Sequence, residues 1–158
     1  MVEIRLQIKV KQVVAEIVIK PDKEGFTNIT KEINSWIRSN NINQGIIVLS
    51  LAHTSCSLII NENADSRVLE DLASFMNALV PEIGFNSMNG NSPRYEYLHK
   101  EEGLDDMPAH IKTILTSSTL SLSIQNGSLQ LGTWQAIYLW EHRYHPTPRK
   151  LNLHVIAD

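Results

Sequence analysis

Three histidines stand beside polar or acidic neighbours of the kind that line binding sites. His53 directly follows an apolar segment, His99 lies in a long polar segment, and His110 follows the acidic pair Asp105-Asp106. Neutral imidazole binds metals, and catalytic zinc commonly has three protein ligands and a water molecule. The three histidines are therefore candidate ligands for one divalent ion, although their spacing matches no dense motif such as H-E-x-x-H. The alternative is structural, with His53 as a hydrogen-bonded core residue and His99 as a solvated loop residue.

A second pair of histidines, His142 and His145, lies close together near the end of the chain. Their imidazoles offer another pair of metal donors. Because Pro146 and Pro148 follow, the segment is predicted to be a turn. An exposed basic turn is the favoured interpretation, and chelation is the alternative.

A carboxylate and an amide occur on a segment that is otherwise apolar. The chain is predicted to form a strand from Leu129, in which Gln135, Ile137 and Glu141 share one face. Burying the polar side chains of Gln135 and Glu141 is costly unless each has a partner. This placement predicts a polar pocket at the end of the sheet, or alternatively a structural polar network between subunits.

A central strand is predicted to carry His53 to the rim of a sheet. Residues 45–52 form a near-continuous apolar run rich in β-branched residues, which is typical of a buried strand. A short strand over residues 58–60 follows, and Asp65 or Ser66 is predicted to cap the next helix.

The other predicted elements alternate between strands and helices. Residues 2–19 are predicted to form two antiparallel strands, and residues 29–40 an amphipathic helix. Asn126-Gly127 predicts a type I′ hairpin, and residues 151–155 a last strand. The class is therefore α+β: an antiparallel or mixed sheet, or a sandwich, with two to three helices in a single domain covering residues 1–158.

A long polar segment separates the second and third predicted helices. Residues 82–107 lack periodicity, and a loop of this length inside a compact domain is usually functional or disordered. Pro108 is predicted to open the third helix, with Ile111, Ile114 and Leu115 facing inward.

Composition excludes several classes of function. The net charge is −3 and the basic residues are scattered, so no nucleic-acid-binding stripe is present. No apolar run approaches the roughly 18 residues of a membrane span. The first residues alternate between apolar and charged types, which predicts a strand and not a signal peptide. The single cysteine, Cys56, favours a reducing cytoplasm, and its position three residues after His53 predicts an inert buried thiol.

Several short motifs occur in a fixed order from residue 45 to the end of the chain: His53-Thr54-Ser55, Asn61-Glu62-Asn63-Ala64-Asp65, Tyr97-Leu98-His99, the segment EGLDDMPAHIK at residues 102–112, Leu131-Gly132-Thr133-Trp134-Gln135, Glu141-His142-Arg143 and Pro148-Arg149-Lys150. Together they closely resemble the YjbQ-like family, the secondary thiamine-phosphate synthase proteins. Two positions depart from the family pattern. Cys56 stands where alanine is usual, and the turn after His142 lacks the glycines often found there.

The resemblance implies an α+β domain that assembles as a homotrimer and acts on a small phosphorylated molecule. It implies a divalent metal cofactor, Zn or Mg/Mn, and a site that the following residues build: His53, His99 and His110 as metal ligands, with Asn63, Asp65, Gln135 and Glu141 as catalytic candidates. The implied activity joins hydroxymethylpyrimidine pyrophosphate to thiazole phosphate, as a main or a side reaction. The alternatives are a trimeric metal- or ligand-binding protein without turnover, and a zinc-dependent hydrolase with Glu141 as general base.

Overall fold

The computed structural model describes residues 10–87 and 89–157, which form eight strands and three helices. The elements are β1 (Lys11–Ile19), β2 (Gly25–Asn28), α1 (Thr30–Ser39), β3 (Gly45–Leu51), β4 (Cys56–Glu62), α2 (Ser66–Leu79), α3 (Asp106–Leu115), β5 (Thr119–Gln125), β6 (Ser128–Leu129), β7 (Gln135–Glu141) and β8 (Arg149–Ala157). β1 is one continuous strand, and the first part of the predicted N-terminal strand pair lies outside the described residues. No helix in the described ranges is long and apolar enough to cross a membrane.

Two antiparallel sheets form the framework. Sheet A has the strand order β1-β8-β3-β5-β6, and sheet B has the order β2-β7-β4. The predicted α+β class, with a sandwich and two to three helices, is confirmed.

The main core lies between the two sheets. Because side chains alternate along a strand, every second residue of the central strands points inward. The inward set comprises Ile47, Leu49 and Leu51 from β3, Leu151, Leu153 and Val155 from β8, and Leu58, Ile137 and Leu139 from sheet B. Helix α1 adds Ile33 and Ile37, both fully buried. The opposite face of sheet B forms a second, smaller core with α2 and α3, in which Trp140 packs near Met76, Val80 and Ile111.

The third helix differs from its prediction. It begins at Asp106, two residues before Pro108, and the predicted inward residues Ile114 and Leu115 are 81% and 53% exposed. Lys112 is buried instead, because its ammonium group donates to Asn77 Oδ1 at 2.7 Å and to Glu24 Oε1 at 3.2 Å. Partners remote in sequence, which periodicity does not reveal, decide which face of α3 is buried.

The predicted strand from Leu129 to Glu141 is interrupted by a turn. Gln135 N donates to Gly132 O at 2.9 Å, and Gly132 N donates to the Gln135 side-chain oxygen at 2.7 Å. β7 therefore begins only at Gln135. The hairpin is confirmed, since Asn126 and Gly127 have φ values of 52° and 70°, as a type I′ turn requires.

A buried ion pair joins the two sheets at one end of the sandwich. Arg149, the first residue of β8, donates from Nε to Glu141 Oε2 at 2.6 Å and from Nη2 to Glu141 Oε1 at 2.7 Å. Glu141 is fully buried and Arg149 is 5% exposed. Because each charge is removed from water, each depends on the other for compensation.

Removing the carboxylate should therefore be costly. We expect Glu141→Gln to lower the free energy of unfolding by about 3–5 kcal/mol, since it leaves the Arg149 cation buried and uncompensated. Urea denaturation measures the change. Glu16→Gln is the matched control, because Glu16 pairs with Lys150 at 3.3 Å on the exposed face of sheet A. Its expected cost is below about 1 kcal/mol. Equal losses in the two variants would contradict this account.

Candidate functional site

Two histidines and an aspartate converge at the N-terminal end of α3. His99 Nε2 lies 2.9 Å from Asp106 Oδ2, and His110 Nε2 lies 3.6 Å from Asp106 Oδ1. One ligand atom from each of the three residues lies within 4.8 Å of the others. The helix creates part of this cluster directly, because Asp106 and His110 are four residues apart and so share one face. Two imidazoles and a carboxylate are a common donor set for divalent transition metals.

The imidazole of His110 is oriented by the main chain. His110 Nδ1 lies 3.0 Å from Thr54 O. A carbonyl oxygen only accepts hydrogen bonds, so Nδ1 carries the proton and Nε2 carries the lone pair. Metal-binding histidines are commonly fixed in this way, with the second ring nitrogen donating to a carbonyl.

The carboxylate of Asp106 is only partly satisfied by its neighbours. The residue is 2% exposed, and Oδ1 accepts a hydrogen bond from Arg143 Nη1. Oδ2 is buried and has no hydrogen-bond partner among the described residues, although His99 Nε2 lies 2.9 Å away. That approach is close but lacks the alignment of a hydrogen bond. A buried carboxylate oxygen in this state fits a cation between the two groups.

Arg143 fixes the loop that leads into α3. Its Nε donates to Asp105 Oδ2 at 3.0 Å, and its Nη2 donates to Glu102 O at 2.8 Å. Asp105 Oδ2 also accepts from Tyr144 N at 2.8 Å. The guanidinium group thus positions the carboxylate of Asp106 and the residues before it.

His53 lies outside this cluster. Its Nε2 accepts a hydrogen bond from Lys150 N at 2.8 Å, so the ring proton of the neutral form is on Nδ1. Burial and the nearby Arg149 guanidinium lower the pKa of His53. In this conformation neither ring nitrogen of His53 is free to bind a metal, and the residues that converge are His99, Asp106 and His110.

Glu141 is not placed to act as a general base. Besides the two hydrogen bonds from Arg149, its Oε1 accepts from His142 N at 3.1 Å and from Arg143 N at 3.0 Å. The carboxylate is fully buried. It organises the end of β7 and does not face a cleft.

The other three catalytic candidates lie at the opposite end of sheet B. β4 pairs with β7 so that Cys56 opposes Glu141, whereas Glu62 opposes Gln135. Six residue steps of about 3.3 Å separate the two ends by about 20 Å. Within one chain, Asn63, Asp65 and Gln135 are therefore not brought to the cluster.

The side chains of Asp65 and Gln135 have local roles, and Asn63 contributes a backbone hydrogen bond. Asp65 is the N-cap of α2, where its Oδ1 accepts from Arg67 N at 2.9 Å, as the sequence predicted. The Gln135 side chain closes the turn at Gly132, and Asn63 N donates to Trp134 O at 2.9 Å.

A cavity of about 300 Å³ opens beside the cluster. His99 belongs both to its wall and to the cluster, and Arg94, Tyr97 and Lys100 also line it. In the described ranges, Arg94 and Lys100 form no ion pair. Glu82 and Glu96 line the same cavity, so side chains of both charge signs lie next to the candidate metal ligands.

His142 is buried, not exposed as the predicted turn required. It is 1% exposed, whereas His145 is exposed, so the two do not form a shared chelate. His142 Nε2 lies 2.7 Å from Ser57 Oγ. Burial, with smaller effects of Lys112 and Arg149, lowers the pKa of His142 to about 3. Cys56 is also buried, and burial raises the pKa of its thiol to about 12, which agrees with the prediction of an inert cysteine.

Sequence reasoning did not identify Asp106 or Arg143 as parts of this site. The Asp106-x-x-x-His110 spacing on a helix was the available indication of a shared face. The contact between Arg143 and α3 joins residues 37 positions apart, and no local pattern predicts it.

Comparison with known proteins gives consistent results. A family model described as "UPF0047 protein YjbQ-like" matches residues 15–158. The UPF0047 protein sll1880 of Synechocystis is 42% identical over 142 residues, covering 90% of each chain. The UPF0047 protein YjbQ of Escherichia coli O157:H7 is 41% identical over 128 residues, covering 80% of this chain and 85% of the relative. The crystal structure of an uncharacterised conserved protein of the yjbq/upf0047 family from Clostridium acetobutylicum is 30% identical, with a TM-score of 0.72 over 90% of this chain and 98% of that chain.

The neutral, buried state of His142 predicts a dependence of stability on pH. The ring takes up a proton near pH 6.5 when the chain is unfolded, but only near pH 3 when it is folded. The unfolded state therefore gains protons as the pH falls below 6.5, and stability is lost progressively down to about pH 3. We expect His142 to lower the free energy of unfolding by about 2 kcal/mol between pH 7 and pH 5. Urea denaturation at both pH values should show this loss in wild type and in His154→Gln, an exposed control, but not in His142→Gln. An equal pH dependence in all three proteins would contradict the assignment.

Proposed function

The chain belongs to the UPF0047 family of YjbQ-like proteins, and we propose that it is an enzyme that uses a divalent metal ion to act on a small phosphorylated substrate. The observation that carries the proposal is the convergence of His99, Asp106 and His110 at the start of α3. The donor set contains two imidazoles and one carboxylate, and such a three-ligand site leaves coordination positions for water or substrate.

Two details support the choice of ligands. Hydrogen bonding to Thr54 O leaves the Nε2 lone pair of His110 available, 3.6 Å from Asp106 Oδ1. The buried Oδ2 of Asp106 has no hydrogen-bond partner in residues 10–87 and 89–157. Both atoms would gain a partner from a cation and neither would lose one.

The adjoining cavity supports an anionic substrate. Arg94 and Lys100 line it together with Glu82 and Glu96, and the two cationic groups suit the oxygens of a phosphate. Tyr97, 9% exposed, offers an aromatic surface for the organic part of the molecule. Because His99 also lines the cavity, a phosphate there lies next to the metal ligands.

The transfer implied by the family resemblance fits this arrangement. The C–O bond of hydroxymethylpyrimidine pyrophosphate breaks, pyrophosphate leaves with the electron pair, and the ring nitrogen of thiazole phosphate forms the new C–N bond. A bound divalent ion supplies charge stabilisation for the leaving phosphate oxygens. Arg94 and Lys100 hold the same anion, and Arg143 keeps Asp106 oriented. No protein nucleophile is needed, which agrees with the buried and protonated state of Cys56.

The hydrolase alternative has less support, since Glu141 is enclosed by Arg149 and two backbone amides. Binding without turnover is distinguished by experiment. Incubating the metal-loaded protein with both substrates and measuring pyrophosphate release and thiamine phosphate separates transfer, hydrolysis and simple binding.

Metal affinity tests the ligand assignment. We expect His99→Ala, Asp106→Ala and His110→Ala each to weaken binding of Zn²⁺ or Mn²⁺ at least about tenfold, because each removes one of three protein donors. The losses should not add, since the first already disables the site. Isothermal titration measures the affinities.

His53→Ala and His154→Ala are the controls, and both should keep wild-type affinity. Loss of binding in His53→Ala, His99→Ala and His110→Ala, with binding kept in Asp106→Ala, would instead support the three-histidine site. Wild-type affinity in all three ligand variants would remove the metal site from this end of α3.

We also propose the homotrimer that the resemblance implies. Apolar side chains on α2 and α3 support an interface there: Phe75, Leu79, Ile114 and Leu115 are each at least 53% exposed. Association of such a face with another subunit would remove it from water.

Sedimentation equilibrium tests this proposal. We expect a mass about three times that of the 17.9-kDa chain, and a shift toward the monomer in Ile114→Glu. Val18→Glu, on the exposed face of sheet A, is the control and should remain trimeric. A monomer mass at every concentration would defeat the proposal.

A further inference from the structure

Three side chains form a buried row of hydrogen bonds beneath α3. His142 Nε2 lies 2.7 Å from Ser57 Oγ, and Ser57 Oγ contacts Thr116 Oγ1. Thr116 Oγ1 donates to Lys112 O at 2.7 Å. The row thus runs from the end of β7, across β4, to the C-terminal end of α3.

The direction of each hydrogen bond follows from counting protons. The Thr116 hydroxyl has one proton, and Lys112 O accepts it, so Thr116 Oγ1 accepts the proton of Ser57. Ser57 Oγ must then accept from His142, which places the ring proton on Nε2. The order is His142 Nε2–H to Ser57 O–H to Thr116 O–H to the Lys112 carbonyl.

The reverse order is unfavourable. It would put the ring proton on Nδ1, which is buried and has no partner among the described residues. It would also leave Thr116 Oγ1 and Lys112 O only 2.7 Å apart without a proton between them. Buried N–H groups without acceptors are rarer in proteins than carbonyl oxygens short of a donor. The order in which His142 Nε2–H donates to Ser57 is therefore preferred.

The order also excludes a catalytic serine. A nucleophilic serine gives its proton to histidine, whereas Ser57 receives a hydrogen bond from His142. Ser57 and His142 are 0% and 1% exposed, out of reach of a substrate.

We propose that His142 is a positioning residue for the metal site and acts through Ser57 and Thr116 on α3. This inference depends on the proposed metal site for its functional consequence. Lys112 O is one of the last carbonyls of the helix, which have no partner within it. The row supplies that partner and ties the helix to sheet B. Arg143, the next residue after His142, ties the other end of α3 through Asp106. Asp106 is itself one point of attachment, and His110 lies between it and the other.

The ring nitrogens of His142 report the order directly. In wild type, ¹⁵N NMR should show a protonated Nε2 and an unprotonated Nδ1. Thr116→Val removes the hydroxyl but keeps the branched shape, and it frees the Ser57 proton for the histidine. We expect the ring proton of His142 to move to Nδ1 in that variant, and Zn²⁺ or Mn²⁺ affinity to fall about tenfold.

Two variants provide matched comparisons. Thr116→Ser restores the hydroxyl and should recover both the wild-type tautomer and the affinity. Thr113→Val is the control on the same helix, because Thr113 Oγ1 donates to Ala109 O at 2.9 Å and does not join the row. Thr113→Val should change neither the tautomer of His142 nor the metal affinity.

The outcomes are distinguishable from those of the metal proposal. A wild-type Nδ1–H tautomer, or a Thr116→Val protein with wild-type affinity, would overturn the positioning role. If wild type binds neither metal, the proposed metal site is wrong. Hydrogen exchange of the α3 amides then tests the other claim, that the row attaches α3 to sheet B. Faster exchange in Thr116→Val than in Thr113→Val would support the attachment of α3, and equal rates would overturn it.

Discussion

The buried pair between Glu141 and Arg149 determines how the two sheets meet. Glu141 ends β7 of sheet B, and Arg149 begins β8 of sheet A, so two hydrogen bonds of 2.6 and 2.7 Å join the layers at one edge. The same carboxylate accepts the backbone amides of His142 and Arg143. An opposite charge and further hydrogen bonds offset the cost of burying this carboxylate. The conformation of the chain beyond β7 is therefore tied to the contact between the sheets.

The two residues after Glu141, His142 and Arg143, are linked to opposite ends of α3. Glu141 points into the core between the sheets, so His142 points to the other side, where α2 and α3 pack. His142 reaches the end of α3 through Ser57 and Thr116, and Arg143 reaches its beginning through Asp106. Three consecutive residues thus connect sheet A, sheet B and the helix that carries two of the candidate ligands.

The sequence predicted those features that depend on neighbouring residues. The type I′ turn at Asn126-Gly127 and the capping of α2 by Asp65 each follow from local chemistry, and both occur. The buried face of α3 was not predicted, because burial of Lys112 requires Glu24 and Asn77, which are 88 and 35 residues away. Asp106 was not predicted as a candidate ligand although it lies four residues before His110 on the same helix, whereas its contact with Arg143 joins residues 37 positions apart.

The position of Arg143 explains how Asp106 can be both buried and available. A buried carboxylate without a cationic partner is an uncompensated charge, which is unfavourable. Arg143 compensates the charge of Asp106 through Oδ1 and leaves Oδ2 facing His99. The guanidinium charge also repels a nearby cation, so a divalent ion bound here gains less than it would from a free carboxylate. At the proposed site, a divalent ion would therefore exchange more readily than one that a free carboxylate holds.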